Sequence, residues 1–290
     1  MSSMNLWVTE QEADHIRTGW AVTEVLFSGR SEFQKVDVVE TKAYGTMLLL
    51  DGLVMITDAD EFIYHEMISH IPLCLHSNPK RVVVIGGGDG GTVREILKHK
   101  EVEEVILCEI DDMVIEQSKR FFPKVAECLN PGFDPRVKVR VGDGVAFMKE
   151  LKNEVDIILV DSTDPIGPGE GLFSREFYRN VAGALRKGGL MAAQSESPWF
   201  TKDALGRIHR NISGGFQYRK SYVAPIPTYP RGSWSWTLAA QDPIDPARFD
   251  AARFSRVEKS LQYLSKDLMT GAFALPKFFA EKIADDHKSN

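Results

Sequence analysis

The chain reads as an α/β protein, a doubly wound parallel sheet preceded by a small antiparallel β unit, and three observations predict that class. Four short apolar runs, residues 82–85, 105–107, 137–141 and 157–160, are rich in β-branched residues and separated by stretches with helical spacing. Parallel strands joined by crossover helices produce this alternation, because the helices bury both faces of the sheet. Each run is followed closely by an acid, Asp89, Glu109, Asp143 or Asp161, with Asp164 just beyond the last. Ligands of such sheets bind outside the carboxyl ends of the strands, so a carboxylate-lined cleft suited to a cation is expected there. The third observation lies upstream. Residues 20–27, 33–40, 46–50 and 53–57 are short β-like runs broken by turn residues, and Asp51-Gly52 between the last two is a hairpin signal.

The remaining elements follow in order. Residues 61–76 have helical character and end before the Asn78-Pro79 breaker, which puts a domain boundary near residue 62 and gives units 1–62 and 63–290. Residues 162–171 have turn composition throughout, longer than most connections in a compact domain, as in a lid. A helix over 174–186, a strand over 190–194, a helix from 202 and strands over 218–224 and 234–240 complete the larger unit. The last fifty residues read as helical and solvated at the end.

Composition narrows the function. At 290 residues and 43% hydrophobic content the chain can bury a sizeable core, and its net charge of -6 with no basic run argues against nucleic acid and anionic membrane as partners. Three cysteines, with Cys74 and Cys108 in apolar runs, read as reduced buried thiols rather than a disulfide framework. The N-terminus has no secretory pattern and no run is long enough to span a bilayer, so a cytoplasmic protein is expected.

The sequence Gly86-Gly87-Gly88-Asp89-Gly90-Gly91 holds the G-x-G-x-x-G spacing directly after a strand, and Glu109 follows at the next strand end. The glycines admit a close backbone approach, and Glu109 can accept hydrogen bonds from both hydroxyls of a ribose. Asp89 argues against a dinucleotide, since a carboxylate at a helix N-terminus opposes pyrophosphate. An adenosine with a cationic tail removes that conflict. S-adenosylmethionine still carries a carboxylate for Asp89 to repel, whereas its decarboxylated form carries only an ammonium and a sulfonium. The alternative reading of Asp89 is a helix cap.

These residues resemble the spermidine synthase family of aminopropyltransferases. The resemblance spans nearly the whole chain, through residues 41–52 (TKAYGTMLLLDG), 60–67 (DEFIYHEM), 85–91 (IGGGDGG), 108–111 (CEID), 142–144 (GDG), 161–172 (DSTDPIGPGEGL) and 226–230 (IPTYP). It implies an N-terminal β domain, a Rossmann-like, methyltransferase-type catalytic domain and a homodimer or homotetramer. It also implies decarboxylated S-adenosylmethionine as co-substrate, with no permanently bound cofactor and no metal, and putrescine as acceptor. Asp89 would hold the donor's ammonium, Glu109 with Ile110 the ribose, and Asp143 with Gly144 the adenine. Gln34, Gly86 and Gly88 would contact the donor, and Pro168 and Leu172 would cover the adenine. Asp161 and Tyr64 would flank the attacking amine, and Asp164, Tyr229 and Trp234 would bound the diamine. His65 is a departure, since some family members carry Gln there.

Residue chemistry supplies a mechanism. An alkylamine with an unperturbed pKa near ~10.4 must lose a proton before it attacks, and a neighbouring carboxylate, Asp161, serves as base. In-line displacement of neutral 5′-methylthioadenosine then needs no metal, redox group or covalent intermediate. Other readings fare less well. His65, Glu66 and His70 miss the H-E-x-x-H spacing by one residue, and Ser162-Thr163 lack a motif-placed His. Trp234 and Trp236 share one strand face and read as packing residues. Amine N-methylation, a silent polyamine-binding regulator, and cadaverine, agmatine or spermidine as acceptor are the alternatives.

Overall fold

The computed structural model describes residues 6–165, 167–199 and 204–284. Strands β1 (Leu6–Ala13), β2 (Ile16–Arg30), β3 (Lys35–Thr41), β4 (Gly45–Leu50) and β5 (Leu53–Thr57) form one antiparallel sheet in sequence order. Asp51 and Gly52 both take positive φ, 48° and 85°, the conformation whose twist matches a two-residue hairpin. Alternating side chains of β3 and β4 fill two small cores. Val36, Val38, Leu48 and Leu50 face Val114, Phe122 and Val125 of the larger unit, whereas Val39, Met47 and Leu49 pack with Trp20, Val22 and Val54.

Helix α1 (Glu61–Leu75) leads into the larger unit and is buried along almost its whole length. Strands β6 (Arg81–Gly86), β7 (Glu104–Glu109), β8 (Val137–Val141), β9 (Val155–Asp161), β10 (Leu185–Gln194), β11 (Tyr218–Ala224) and β12 (Trp234–Ala240) form a seven-stranded sheet ordered β11-β12-β10-β9-β6-β7-β8. From β10 to β8 neighbouring strands are parallel, and β12 runs antiparallel to both β10 and β11. The expected α/β fold, a Rossmann-like doubly wound sheet with an N-terminal antiparallel β domain, is therefore present.

Helices α2 (Gly91–Leu97), α3 (Asp112–Phe121), α4 (Pro123–Ala126), α5 (Gly144–Glu150), α6 (Arg175–Ala184) and α7 (Ala204–Ile212) cover this sheet. The apolar runs of β6, β7 and β9 are near-continuous because both faces are buried, while the edge strand β8 is largely exposed. Val82, Val84, Ile157 and Leu159 pack on the side of α1 and α2, while Val83, Ile85, Ile158 and Val160 pack under α5, α6 and α7. From β6 the chain moves outward to β7 and β8, then returns to β9 on the other side. This reversal opens a crevice at the carboxyl ends of β6 and β9, where Gly86 pairs with Asp161.

The C-terminal segment is helical, as expected, and 277–284 is largely exposed, but the segment is also anchored to the rest of the larger unit. Its helices α8 (Ala251–Val257), α9 (Leu268–Gly271) and α10 (Lys277–Ala284) bury Phe254, Met269 and Phe279. Buried Arg253 donates to the carbonyls of Leu73, His76 and Ser77, capping the end of α1. Buried Glu66, in the middle of α1, accepts from the backbone N–H groups of Gln262, Tyr263 and Leu264 at 2.7, 3.0 and 2.8 Å. The segment thus fixes the helix that carries Tyr64 and His65. All three cysteines are free and buried, as expected.

Candidate active site

A cleft of about 1160 Å³, partly open to solvent, lies at the carboxyl ends of β6, β7 and β9, between the two units. All the residues nominated from sequence line it except Pro168, whose side chain lies outside the described residues. The loop expected over 162–171 is less open than its composition suggests, since Gly167–Phe173 winds into a 3₁₀ turn that places Leu172 against the cleft.

On the glycine-loop side, Gly86 has φ 80° and a Cβ there would lie 2.1 Å from the Asp161 carbonyl oxygen, so only glycine fits. The loop brings the Gly88 N–H to Glu109 Oε2 at 3.1 Å, while the Asp111 N–H donates to Glu109 Oε1 at 3.0 Å. Burial nevertheless pushes the Glu109 carboxyl up to about 7. Asp143 caps α5 by accepting from the Val145 N–H at 2.7 Å. From the smaller unit, Gln34 donates to Asp111 Oδ2 at 2.9 Å, which ties the two units together beside the cleft.

The opposite side is built around Asp161. Its Oδ2 accepts from the Thr92 hydroxyl at 2.6 Å, and the Tyr64 hydroxyl is a second donor. Burial, reinforced by the neighbouring Asp89 charge, raises Asp161 to about 6. The same burial, together with Asp161, raises the Tyr64 phenol well above its ordinary value, so it stays a hydroxyl donor. Asp89 Oδ1 accepts from the Gly91 N–H at 2.7 Å and lies 3.0 Å from His65 Nε2. Asp89 precedes the N-cap residue Gly90 and accepts from the first N–H of α2 while lining the cleft, so it serves the helix start and the site together. Burial opposes its ionisation, but His65 and the Gly91 N–H outweigh burial and hold its pKa below the ordinary value.

Asp60, just before α1, accepts from the N–H and hydroxyl of Thr228 at 2.9 and 2.7 Å, which brings Tyr229 alongside Tyr64 with ring centroids 6.0 Å apart. The Tyr229 hydroxyl donates to the Met55 carbonyl at 2.5 Å, and its ring meets Trp234 edge-on at 4.9 Å. Trp236 is fully buried and stacks on Tyr222, a packing role, whereas Trp234 reaches the cleft wall.

One site residue escaped the sequence reading. Glu196, two residues beyond β10, is buried with φ 70° and hydrogen-bonds Asp164. Burial and the Asp164 charge push Glu196 well above its ordinary value, and burial raises Asp164, so the pair shares a proton. The rule that found the other acids, a carboxylate just past a strand end, extends to this position.

His65, Asp89 and Asp161 also present candidate ligand atoms within 4.8 Å of one another. Both His65 ring nitrogens already face carboxylates, Glu61 at Nδ1 and Asp89 at Nε2. No helix of the described residues is long and apolar enough to cross a membrane.

The fold is a Rossmann-like sheet whose glycine loop and strand-end acids line one acidic cleft, a ligand-binding α/β domain. The family model for the spermine/spermidine synthase domain matches residues 61–248, and that for the spermidine synthase tetramerisation domain matches 6–58. The polyamine aminopropyltransferase of Bacillus mycoides (strain KBAB4) is 44% identical over 97% of this chain and 100% of its own. That of Caldicellulosiruptor bescii is 44% identical over 98% and 100%. Among solved structures, a spermidine synthase in complex with the transition-state analogue AdoDATO matches with TM-score 0.93 and 37% identity over 98% of this chain and 97% of that one. The spermidine synthase of Thermotoga maritima matches with TM-score 0.91, 37% identity and coverage of 98% and 96%. The chain belongs to the spermine/spermidine synthase family.

Proposed function

We propose that the protein transfers the aminopropyl group of decarboxylated S-adenosylmethionine to putrescine, giving spermidine and 5′-methylthioadenosine. The observation that carries this reading is the row of carboxylates along one cleft. Glu109 and Asp143 lie on the glycine-loop side, Asp89 and Asp161 at the centre, and Asp164 beyond, backed by Glu196 behind the cleft wall. That row matches a ligand pair with a neutral nucleoside at one end and ammonium groups further along. Glu109 takes the ribose hydroxyls, Asp143 and Gly144 the adenine edge, with Gly86, Gly88, Ile110, Gln34, Pro168 and Leu172 around them. Asp89 faces the donor's ammonium, its other side held by His65 Nε2. Tyr229, Trp234 and Asp164 hold the far end of the diamine, with Glu196 behind Asp164.

Asp161 takes a proton from the near ammonium of putrescine, directly or through water, while Tyr64 and Thr92 fix the carboxylate. The freed lone pair forms the C–N bond as the C–S bond breaks, its electrons leaving with sulfur as a neutral thioether. Positive charge moves from sulfur to nitrogen, toward Asp161 and Asp164, so fixed acids stabilise the transition state more than the ground state.

The relative solved with AdoDATO supports this reading. We further propose the unit boundary near residue 62, a cytoplasmic location, and self-association as a homodimer or homotetramer through the N-terminal sheet, which exposes Leu6, Trp7 and Val25. The test is release of methylthioadenosine from the decarboxylated donor with putrescine, cadaverine, agmatine and spermidine in turn. Highest kcat/KM with putrescine is expected. Turnover with S-adenosylmethionine and none with its decarboxylated form would make the protein an amine methyltransferase instead.

A further inference from the structure

His65 is fully buried on α1 with a carboxylate at each ring nitrogen. Nδ1 lies 2.5 Å from Glu61 Oε2 and Nε2 lies 3.0 Å from Asp89 Oδ1, the second contact an ion pair rather than an aligned hydrogen bond. A neutral imidazole offers one N–H and one lone pair, so it would set a lone pair against one of these two acids. The surroundings are built for this ring. A Cβ at Gly91 would lie 2.2 Å from it, so glycine at the start of α2 makes its space. Glu61 is clamped by Arg94 at 2.8 and 2.9 Å, and Arg94 Nε lies 2.8 Å from Glu95.

We propose that Glu61 and Arg94 are positioning residues that lock His65 as an imidazolium against Asp89, so that the unliganded protein carries a built-in cation at the centre of its acidic cleft. Five groups face the ring: Glu61 and Tyr64 from α1, Asp89 from the glycine loop, Arg94 from α2 and Asp161 from β9. Arg94 is offset by Glu95, which leaves Glu61, Asp89 and Asp161 as the net field at the imidazole. Burial disfavours the charged ring, yet the Asp89 and Glu61 carboxylates outweigh it and hold His65 up to about 10. The cation fixes the aim of Asp89 and relieves repulsion between Asp89 and Asp161 before any ligand arrives. What it does for donor binding rests on the function proposed above; its existence does not.

The experiment follows the His65 ring by nitrogen-15 NMR in unliganded protein from about pH 6 to 9, with the signal assigned by its loss in His65→Gln. Wild type is expected to keep an imidazolium spectrum throughout, and Glu61→Gln to titrate within that window. In parallel, the ratio of kcat/KM for the decarboxylated donor, Glu61→Gln over wild type, is expected to fall about tenfold per pH unit above the new pKa. Glu61→Asp, which keeps the charge, should hold a flat ratio. A wild-type ring that titrates near ~6.5, or a Glu61→Gln ratio independent of pH, overturns the proposal. If Glu61→Gln does not fold, the wild-type titration alone decides. Absence of any turnover with the decarboxylated donor would refute the proposed function and leave the NMR result standing.

Discussion

Replacing Asp161 by Asn preserves side-chain volume and an acceptor for Thr92, and removes the charge and the site that receives the proton. Proton transfer from an amine near ~10.4 to an acid of about 6 is uphill by roughly 4 pH units, about 6 kcal/mol. To a carboxylate at its ordinary 3.8 the climb would be roughly 9 kcal/mol, so burial makes Asp161 a better base by about 3 kcal/mol. Losing a positioned general base costs on the order of 10²–10⁴ in rate, so kcat should fall about a thousandfold. Donor Kd should move by less than about tenfold, since the bonds to Gly88, Glu109 and Asp143 remain. The assay is methylthioadenosine release by chromatography beside calorimetric donor binding. The active form is the ionised one, so wild-type kcat/KM should fall tenfold per unit as pH drops below about 6. A variant within tenfold of wild-type kcat, or one that retains that acid limb, refutes Asp161 as the base.

Asp89→Asn removes the charge facing the donor's ammonium and should weaken the decarboxylated donor by about tenfold to a hundredfold, the worth of a charged hydrogen bond, while reducing discrimination against the carboxylated nucleoside; calorimetry with both ligands reads this, and an unchanged affinity ratio refutes it. Burial raises Glu109 from 4.5 to about 7, so its contribution to stability is full below about 4.5 and lost as pH rises through 7. Glu109→Gln, which does not titrate, should therefore gain on wild type by about 3 kcal/mol between pH 4.5 and 8, and parallel denaturation midpoints across that range would count against it. Wild-type donor affinity should rise through about pH 7, because ribose hydroxyls stabilise the carboxylate. Gly91→Ala drives a methyl into the His65 ring and should cost about 1–3 kcal/mol of stability, visible as a lower Tm; an unchanged melt would show that the ring has room to move.

The central strands β6, β7 and β9 were legible because burial on both faces removes polar residues from them, whereas the edge strand β8 is largely exposed and is marked by its alternating valines. β11 and β12 begin and end where their apolar patterns do, at 218–224 and 234–240. β1 was not singled out, and β2 runs well beyond the 20–27 segment. Their ends are polar and are strands only because each supplies the other's partner. The strand-end rule placed Asp89, Glu109, Asp143 and Asp161 along one cleft, since it depends on sheet topology alone. It could not show that Asp89 already holds a cation, because Glu61, His65 and Arg94 meet only when α1 crosses α2. Glu196 satisfies the same rule, two residues past the end of β10, but its contact with Asp164 is made only in the fold. Likewise, nothing local marks Glu66 and Arg253 as anchors for residues on the other side of the chain.

The acids around the cleft fall into two physical groups, and the division bears on how a polycation binds. Asp89 and Glu61 are held ionised, with burial outweighed by His65 and Arg94. Glu109, Asp161, Asp164 and Glu196 are raised, because burial is not matched by a protein cation. A raised carboxyl is one whose demand for a positive partner or a hydrogen-bond donor is unmet. An ammonium placed against such a group favours its ionised form, so binding draws on free energy stored by burial and expels a proton. The raised acids at the far end are the Asp164 and Glu196 pair, which holds one proton between two carboxyls. Binding of a diamine there should release that proton, and heats measured in buffers of different ionisation enthalpy should report it. Glu196→Gln should remove the release and weaken the diamine, while a release unchanged in that variant would place the proton elsewhere.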